Sequence, residues 1–442
     1  MVVLVKALQV ILALSVLILI HELGHFTFAK LFHIRVDKFF LFFDVGGAKL
    51  FSTKSGWFAK LFPKAAGWET EYGIGWLPLG GYCKIAGMID ESLDTESMKQ
   101  EPKAWEFRTH PAWQRLLVMA GGVLFNFIFA ILAYVAILDI WGDTYIRNEG
   151  NAIYVNDLSY SLGFRNGDRI LRFDDYVPED FSALQVDLAR RDVRQATVLR
   201  GTDTLAVWID QSRIGEVLNT PGMFDLAIPF VVDTAVGPNN GLLRHGDMLV
   251  EVAGTPVTYL QDARPLLADF ASGEVPVAVV RGGDTLQMAL QVDSTGRIGV
   301  YTVFPGYEHR DYSFLQALPA GVRLTFSTIG GYLRDLRLVM TPRTEAYKSV
   351  GSFIAIGQVF PEVWDWYVFV RMLAILSIML GVMNLLPIPA LDGGHIVICL
   401  YEMVSGRKPS DKFLLVAQMV GMALLILLMV LAFGNDIGRL IK

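Results

Sequence analysis

The sequence predicts an α-helical polytopic membrane protein, with four transmembrane helices and two β-rich domains inserted on the extracytoplasmic side. Two observations predict this fold class: four long apolar segments, and a repeated pattern of short strands between the second and the third. A mean hydropathy of +0.42 is high for a soluble protein, whereas 19% charged residues is high for a chain made only of spans. The net charge of −6 and the lack of a basic patch argue against a nucleic-acid partner.

The four apolar segments are long enough to cross about 30 Å of hydrocarbon, which takes roughly 20 helical residues. They cover residues 2–28, 116–138, 368–386 and 413–433. No small-residue cleavage site follows the first segment, so we expect a retained span rather than a signal peptide.

Basic residues determine the predicted orientation. They follow the first span, precede the second and follow the third: Lys30, Arg35, Lys38, Lys103, Arg108, Arg115, Arg407, Lys408 and Lys412. By the positive-inside rule these loops lie in the cytoplasm. Both termini and residues 141–365 are then expected outside, in the periplasm if the cell is Gram-negative.

The outer region contains an internal repeat. Residues 163–171 (GFRNGDRIL) are similar to 242–250 (LLRHGDMLV), and residues 198–205 (VLRGTDTL) are similar to 279–286 (VVRGGDTL). Gly-Asp turns between β-branched runs predict short strands, and LQVDLARR and LQDARPLLADF predict helical pieces. Each unit is therefore a small β-rich domain. After the repeats, helical spacing over 312–339 predicts an amphipathic helix that lies on the outer membrane face or packs against the repeats.

His21, Glu22 and His25 form an H-E-x-x-H motif at the end of the first apolar segment. On a helix the two histidines project from one face and bind one Zn²⁺. Glu22 lies beside the metal, where it takes a proton from water and passes it to the leaving amine. Three ionisable groups at the end of a span are costly, which favours a working site.

A hydrolytic zinc site takes three protein ligands and keeps one open position. Acidic and histidine residues near the motif lack the spacing found in soluble zinc proteases: His33, Asp37 and Asp44. The better candidate is Asp392, within NLLPIPALDGGH at 384–395. Pro387 and Pro389 end the third helix, so we predict a loop that folds back and delivers Asp392 to the zinc.

The motifs HELGH at 21–25 and N-x-x-P-x-P-x-L-D-G-G at 384–394 together resemble the site-2 protease family of intramembrane metalloproteases. The two repeats resemble circularly permuted PDZ domains, which narrows the resemblance to the bacterial RseP-type group with tandem PDZ domains. PDZ domains usually bind an extended peptide as an added strand. Two β-domains that bind nothing and only shield the membrane part remain the alternative.

The resemblance implies residue roles. His21, His25 and Asp392 are the expected zinc ligands, and Glu22 is the expected general acid and base. The expected substrate-binding residues come from the late motif and from GGYCK at 80–84, which is similar to a family segment in the first cytoplasmic loop: Asn384, Pro387, Pro389, Gly80, Gly81 and Tyr82.

Three further segments bear on this resemblance. Residues 37–52 alternate and turn like a β-hairpin; in the family such a hairpin dips toward the active site and captures unwound substrate, and an ordinary cytoplasmic hairpin is the alternative. In the second span, Ala120-Gly121-Gly122 and Asn126 resemble a family A-G-P-x-x-x-N pattern, with Gly122 in place of the proline. Ser352 stands after Gly351, where many relatives have proline.

The resemblance also implies an activity. The protein is expected to be a zinc endopeptidase of the bacterial inner membrane that cuts single-span membrane proteins within the bilayer, after another protease has removed their outer portion. An anti-sigma factor and remnant signal peptides are the implied substrates, and the PDZ pair is expected to exclude substrates with intact outer domains.

The predicted domains follow the chain in eight segments. They are the first span with the zinc motif (1–35), the cytoplasmic loop with a membrane-associated hairpin (36–110), the second span (111–140), PDZ domains 1 and 2 (141–220 and 221–308), amphipathic helices (309–362), the third span with its loop (363–405) and the fourth span with the C-terminus (406–442).

Two rival functions remain. One is a non-proteolytic zinc-containing membrane scaffold that recruits partners through its PDZ-like pair; an intact Glu22 argues against it, because a structural zinc site needs no adjacent base. The other is a metal transporter, which would favour polar groups along the spans rather than at two helix ends.

Overall fold

The computed structural model describes residues 2–88, 101–344 and 346–441. Within these ranges the helices are α1 Val2–Leu31, α2 Gly56–Leu61, α3 Pro63–Ala66, α4 Ala112–Trp141, α5 Asp157–Ser161, α6 Leu184–Arg190, α7 Ile214–Asn219, α8 Leu260–Ala268, α9 Phe314–Val339, α10 Phe353–Val359, α11 Trp366–Leu385, α12 Asp392–Ser405 and α13 Asp411–Ile441.

The strands are short. They are β1 Val36–Phe43, β2 Lys49–Ser52, β3 Glu71–Gly75, β4 Leu77–Ile85, β5 Asp143–Tyr145, β6 Ile153–Val155, β7 Arg169–Phe173, β8 Gln195–Arg200, β9 Asp203–Trp208, β10 Phe224–Leu226, β11 Val232–Ala235, β12 Met248–Val252, β13 Thr255–Pro256, β14 Glu274–Arg281, β15 Asp284–Gln291, β16 Val300–Thr302 and β17 Glu308–Arg310.

The chain divides into two compact units. Unit 1 comprises Met1–Gly142, Asp311–Arg337 and Lys348–Lys442, and unit 2 comprises Asp143–Arg310 and Leu338–Tyr347. Among the described residues, four helices are long and apolar enough to cross a membrane, and all four belong to unit 1: α1, α4, α11 and the Lys412–Gly438 part of α13. The prediction of an integral membrane protein with inserted β-rich structure is confirmed at this level.

The second span, α4, packs against α1, α11 and α12. Small residues make the closest crossing possible: a Cβ added to Gly24 of α1 would overlap the carbonyl of Gly121 in α4. Lipid tails are as apolar as the helices, so close backbone packing of this kind supplies much of the attraction between spans. Gly122 lies inside a continuous helix, although the related pattern has a proline there.

A four-stranded sheet follows α1, with the order β2-β3-β1-β4. The predicted hairpin over 37–52 is wrong in one respect, because β1 and β2 do not pair with each other. Strand β3 lies between them, parallel to β1 and antiparallel to β2. Glu71 at the start of β3 is buried, and it accepts hydrogen bonds from Lys49 at 2.5 Å and Ser52 at 2.6 Å. Because these partners lie on β2, they favour pairing of β2 with β3.

Unit 2 contains the two repeats, each with its own hydrophobic core. The first has the sheet β7-β8-β9 and the second the sheet β13-β12-β14-β15; pairs of two strands complete each repeat. The predicted helical pieces form α6 and α8. The periodicity of the sequence thus corresponds to two similar β-rich folding units.

The two similar landmarks of each repeat are joined by an ion pair between a buried aspartate and a partly exposed arginine. In the first repeat, Arg200 donates two hydrogen bonds to Asp168, at 2.7 and 2.8 Å. In the second, Arg281 donates two to Asp247, at 2.7 and 2.6 Å. The aspartates are 0% and 1% exposed. The Gly-Asp turn and the distant arginine recur together because a buried aspartate is destabilising unless a positive charge pairs with it.

We expect Arg200→Met to weaken the first repeat selectively, because it leaves Asp168 buried without its guanidinium partner. Backbone amides of β7 and β8 should exchange with deuterium roughly tenfold faster or more in the intact protein, with β12 and β14 unchanged. Arg213→Met is the matched control, since its partner Glu216 is exposed. Equal protection of β7 in wild type and Arg200→Met would contradict the assignment.

The stability of the second repeat should depend on pH through the buried carboxyl of Asp247. Hydrogen bonds from Arg281 hold the pKa of the Asp247 carboxyl below its usual range. A carboxyl whose folded-state pKa is depressed stabilises the fold above its unfolded pKa, near 4, and loses that contribution as the pH falls through the folded pKa. Protection of β12 and β14 should therefore decline only below about pH 4.

Candidate metal centre

Three side chains converge at one point within unit 1. The Nε2 atoms of His21 and His25 lie 3.3 Å apart, and each lies 3.3 Å from Oδ2 of Asp392. Both histidines are buried, and the Asp392 side chain is 16% exposed. Among the described residues this is the one group of three or more metal-ligating side chains of this kind. The structure thus brings together the three residues that the sequence predicts as zinc ligands.

The shape of this triangle fits a zinc ion. Ligands about 2.0–2.1 Å from a tetrahedral zinc lie roughly 3.3–3.4 Å from one another. The three observed separations of 3.3 Å match that edge length. Three ligands on one face of a tetrahedron leave the fourth corner open, which is the arrangement of hydrolytic rather than structural zinc sites.

The backbone of α4 fixes the ring of His25. Its Nδ1–H donates to the carbonyl of Val118 at 2.9 Å, so the lone pair of the neutral ring is on Nε2, facing Asp392. Gly122 lies against both imidazoles: a Cβ there would be 2.5 Å from His25 Nε2 and 2.6 Å from His21 Cε1. In this chain, a side chain at position 122 would therefore overlap both rings unless they shifted.

Asn126 is the corresponding hydrogen-bond partner of His21. Its side-chain amide lies 3.1 Å from His21 Nδ1 and is 0% exposed. With Nε2 directed at a metal, Nδ1 carries the hydrogen and needs an acceptor. A half-turn of the amide supplies Oδ1, which otherwise has no hydrogen-bond partner among the described residues. Sequence reasoning assigned Asn126 no role, and the signal was a polar residue inside an apolar span.

We expect Asn126→Ala to weaken zinc binding by about 10–100-fold, the usual effect of removing a hydrogen-bond partner of a metal-bound histidine. Asn126→Asp should restore most of the affinity, because it offers an acceptor in the same place. Competition with a zinc chelator measures this without any substrate. Ser377→Ala is the control, since the Ser377 hydroxyl donates to the backbone carbonyl of Asn126, at 2.8 Å, and not to its side chain. Wild-type affinity in Asn126→Ala would rule out this role.

A short loop and a new helix deliver Asp392. Helix α11 ends at Leu385, and α12 begins at Asp392 itself, so the predicted loop is shorter than expected and Asp392 lies in a first helical turn. Ala390 has φ of 105°, a strained value for a residue with a side chain. Cβ atoms on Gly393 and Gly394 would overlap backbone atoms of this loop, which explains the two glycines after Asp392. His395 follows Asp392 within α12.

Helix α12 is held against α4 by a buried ion pair. Arg115 donates to Glu402 at 2.5 Å, and its Nε donates to the carbonyl of His110 at 3.0 Å. Their side chains are 8% and 18% exposed. Because α12 carries Asp392 at its start, this pair restrains the third corner of the triangle. No sequence motif indicated it, since the two residues are far apart in the chain.

Glu22 lies beside the triangle without belonging to it. Its half-buried carboxylate lies beside the backbone amide of Cys83 in β4. Strand β4 passes along α1 at this point: a Cβ on Gly81 would lie 2.7 Å from the Ile18 side chain. The sheet therefore fixes the orientation of the glutamate relative to both histidines.

The predicted substrate-binding residues have different surroundings. Nδ2 of Asn384 lies 3.1 Å from His21 Nε2, at the centre itself. Pro387 and Pro389 lie in the loop before Asp392. Gly81 faces α1, whereas a Cβ on Gly80 would meet Phe43. The Tyr82 hydroxyl donates to Asp44 at 2.7 Å. The Tyr82 side chain thus contacts another residue of the sheet, on the face opposite Gly81.

Comparison with known protein families identifies the family of this chain. The model of Peptidase family M50 matches residues 9–428. The chain belongs to peptidase family M50. The resemblance to site-2 proteases that the two motifs predict is thereby confirmed.

Relatives of this M50 peptidase cover nearly its whole length. A protein of Xylella fastidiosa strain Temecula1, whose name describes a zinc metalloprotease, is 27% identical over 456 residues, covering 97% of each chain. The regulator of sigma-E protease RseP of Escherichia coli strain K12 is 27% identical over 468 residues, covering 97% of this chain and 98% of its own. A regulator of sigma E protease of Salmonella typhi is also 27% identical, over 465 residues.

Proposed function

We propose that this M50 peptidase is an intramembrane zinc endopeptidase that cleaves single-span membrane proteins within or near their transmembrane helix. The observation that carries the proposal is the 3.3 Å triangle formed by His21, His25 and Asp392, with Glu22 beside it, on helices that pack together among the spans. A catalytic rather than structural centre follows from the open fourth corner and the adjacent carboxylate.

His21, His25 and Asp392 would hold the zinc ion through Nε2, Nε2 and Oδ2. When bound, it supplies a Lewis acid that makes water a nucleophile at neutral pH. The second hydrogen bonds of the two histidines, to Asn126 and to the Val118 carbonyl, keep both Nε2 lone pairs directed at the metal.

Glu22 acts as general base and then general acid. It accepts the proton of the attacking water and returns it to the nitrogen of the leaving amine. The backbone of Cys83, which lies beside the carboxylate, restricts its movement during both transfers. The Asn384 side-chain amide, 3.1 Å from His21 Nε2, is placed to donate to the carbonyl oxygen of the scissile bond.

Strand β4 is the proposed support for the substrate. It is an edge strand among the described residues, because the sheet order ends with it. A transmembrane helix hides its amides in internal hydrogen bonds, so it must unwind before it is cut. Pairing of the unwound segment with the edge of β4, next to Glu22, would expose the scissile bond beside the zinc.

The substrate class extends the same proposal. The name of the Escherichia coli relative supports an anti-sigma factor, and remnant signal peptides are a second class of short single-span substrate. The centre faces the cytoplasmic side of the bacterial inner membrane in this proposal, and unit 2 is periplasmic. Its two repeats act as PDZ domains that exclude substrates whose outer domain is intact.

Reconstitution in liposomes tests the proposal. A tagged single-span substrate without its outer domain should be cut within the span, with the site mapped by mass spectrometry, and the same span with a folded outer domain should be cut more slowly. Removal of zinc by a chelator should abolish cleavage, and added Zn²⁺ should restore it. A zinc-loaded protein that cuts none of several trimmed spans would favour a scaffold instead.

A further inference from the structure

The chain between β2 and β3, residues 53–70, is an amphipathic surface segment containing α2 and α3. Large apolar side chains are exposed here: Leu61 at 65%, Phe62 at 50% and Trp68 at 50%. On the adjoining strand β2, Leu50 is 67% exposed. A cluster of exposed apolar side chains in so short a stretch marks an interaction surface rather than ordinary solvent-facing chain.

Basic residues accompany these apolar side chains. Lys54, Lys60 and Lys64 are exposed, and Glu69 is the one acidic residue of the segment. Glu69 is itself paired with Lys30 at 2.5 Å. The exposed surface therefore combines aromatic and aliphatic groups with positive charge, the composition of elements that lie at the surface of an anionic bilayer.

Contacts with α1 determine where the segment lies. Lys30, the partner of Glu69, is in the last turn of this span. Trp68 packs against Tyr72 with ring centres 5.9 Å apart, and Tyr72 packs against Phe26 of α1 at 6.0 Å. The segment is thus attached to the final turns of a membrane-spanning helix, where the hydrocarbon gives way to the headgroups.

We propose that the β2–β3 segment is an interfacial anchor that binds anionic lipid in the leaflet at the Leu31 end of α1. Leu61, Phe62 and Trp68 enter the headgroup and upper acyl region, and Lys60 and Lys64 contact lipid phosphates. The positive charge fits an anionic lipid, and the segment is continuous with a surface of the protein that already lies in the membrane.

The anchor is connected to the metal centre through the four-stranded sheet. Strands β2 and β3 belong to the same sheet as β4, whose Cys83 backbone contacts Glu22. Fixing the β2–β3 connection in the headgroup layer restrains the tilt of the sheet against α1. Lipid composition would then influence how β4 is presented beside Glu22.

Spin-label accessibility in vesicles tests the anchor with the full-length chain. Labels are placed through Leu61→Cys, and through two controls of similar exposure: Val177→Cys in unit 2 and Leu132→Cys in the second span. The background carries Cys83→Ala and Cys399→Ala, and the vesicles contain phosphatidylcholine with phosphatidylglycerol. Collisions with oxygen report lipid, and collisions with a water-soluble nickel chelate report solvent.

At position 61 the ratio of oxygen to nickel accessibility should be several-fold higher than at position 177, and closer to that at position 132. A ratio equal to that at position 177 would show a solvent-facing segment and overturn the proposal. Low accessibility to both probes would show burial against protein, such as a second copy of the chain, and would also overturn it.

The preference for anionic lipid has its own test. Raising the phosphatidylglycerol fraction should increase the depth of the label at position 61. In the variant Lys60→Gln with Lys64→Gln this dependence should weaken, because each lysine contributes roughly fivefold to the affinity for an anionic lipid surface. Lys6→Gln is the control, because it removes a lysine at the other end of α1. Equal depth in pure phosphatidylcholine and in the mixture would overturn the assignment of anionic lipid.

Discussion

Glu22→Gln is expected to retain zinc and to lower the rate of peptide-bond cleavage by about 10²–10⁴-fold, the usual contribution of a general acid–base residue. The amide keeps the shape of the side chain and still interacts with the sheet, but it does not accept a proton from water. The fall should appear in the turnover rate of a trimmed single-span substrate, with substrate binding nearly unchanged.

Zinc content separates this result from simple loss of the centre. The metal-to-protein ratio of Glu22→Gln should equal that of the wild type, because Glu22 is outside the triangle of ligand atoms. Glu216→Gln makes the same chemical change at an exposed glutamate of unit 2 and should cleave normally. Wild-type turnover by Glu22→Gln would disprove the proposed proton transfer.

Asp392→Asn is expected to remove both zinc and activity. A neutral amide is a poor zinc ligand, and the two histidines alone leave the ion under-coordinated. Affinity should fall by roughly 100-fold or more, since even the loss of a ligand's hydrogen-bond partner costs 10–100-fold. Chelator competition on the purified protein measures the change independently of proteolysis.

His395→Gln distinguishes Asp392 from its neighbour. His395 lies one turn along α12 and is outside the group of converging ligand atoms. Its replacement should leave zinc bound. Should His395→Gln lose the metal while Asp392→Asn keeps it, the third ligand would have been wrongly assigned.

Candidate metal ligands and repeats could be predicted from the sequence where a local pattern of residues indicates them. The one-turn spacing of His21 and His25 places two imidazoles on one helix face whatever the rest of the protein does. Asp392 was predictable because Pro387 and Pro389 interrupt an apolar helix just before a carboxylate. The repeat in unit 2 was visible because each Gly-Asp turn recurs with its arginine, Asp168 with Arg200 and Asp247 with Arg281.

Pairings between distant parts of the chain were not predictable in this way. The 37–52 pattern suggested a hairpin because it alternates and turns, but only the fold inserts β3 between its arms.

The sequence by itself therefore determined the membrane class, the repeat and the candidate metal ligands, because apolar length, periodicity and helical spacing are local properties of a chain. Only the tertiary structure decided what surrounds those side chains. Asn126 meets His21, the Val118 carbonyl meets His25 and the Cys83 backbone meets Glu22 across helices and strands far apart in sequence. Such contacts depend on how whole elements pack, and packing is a property of the folded chain.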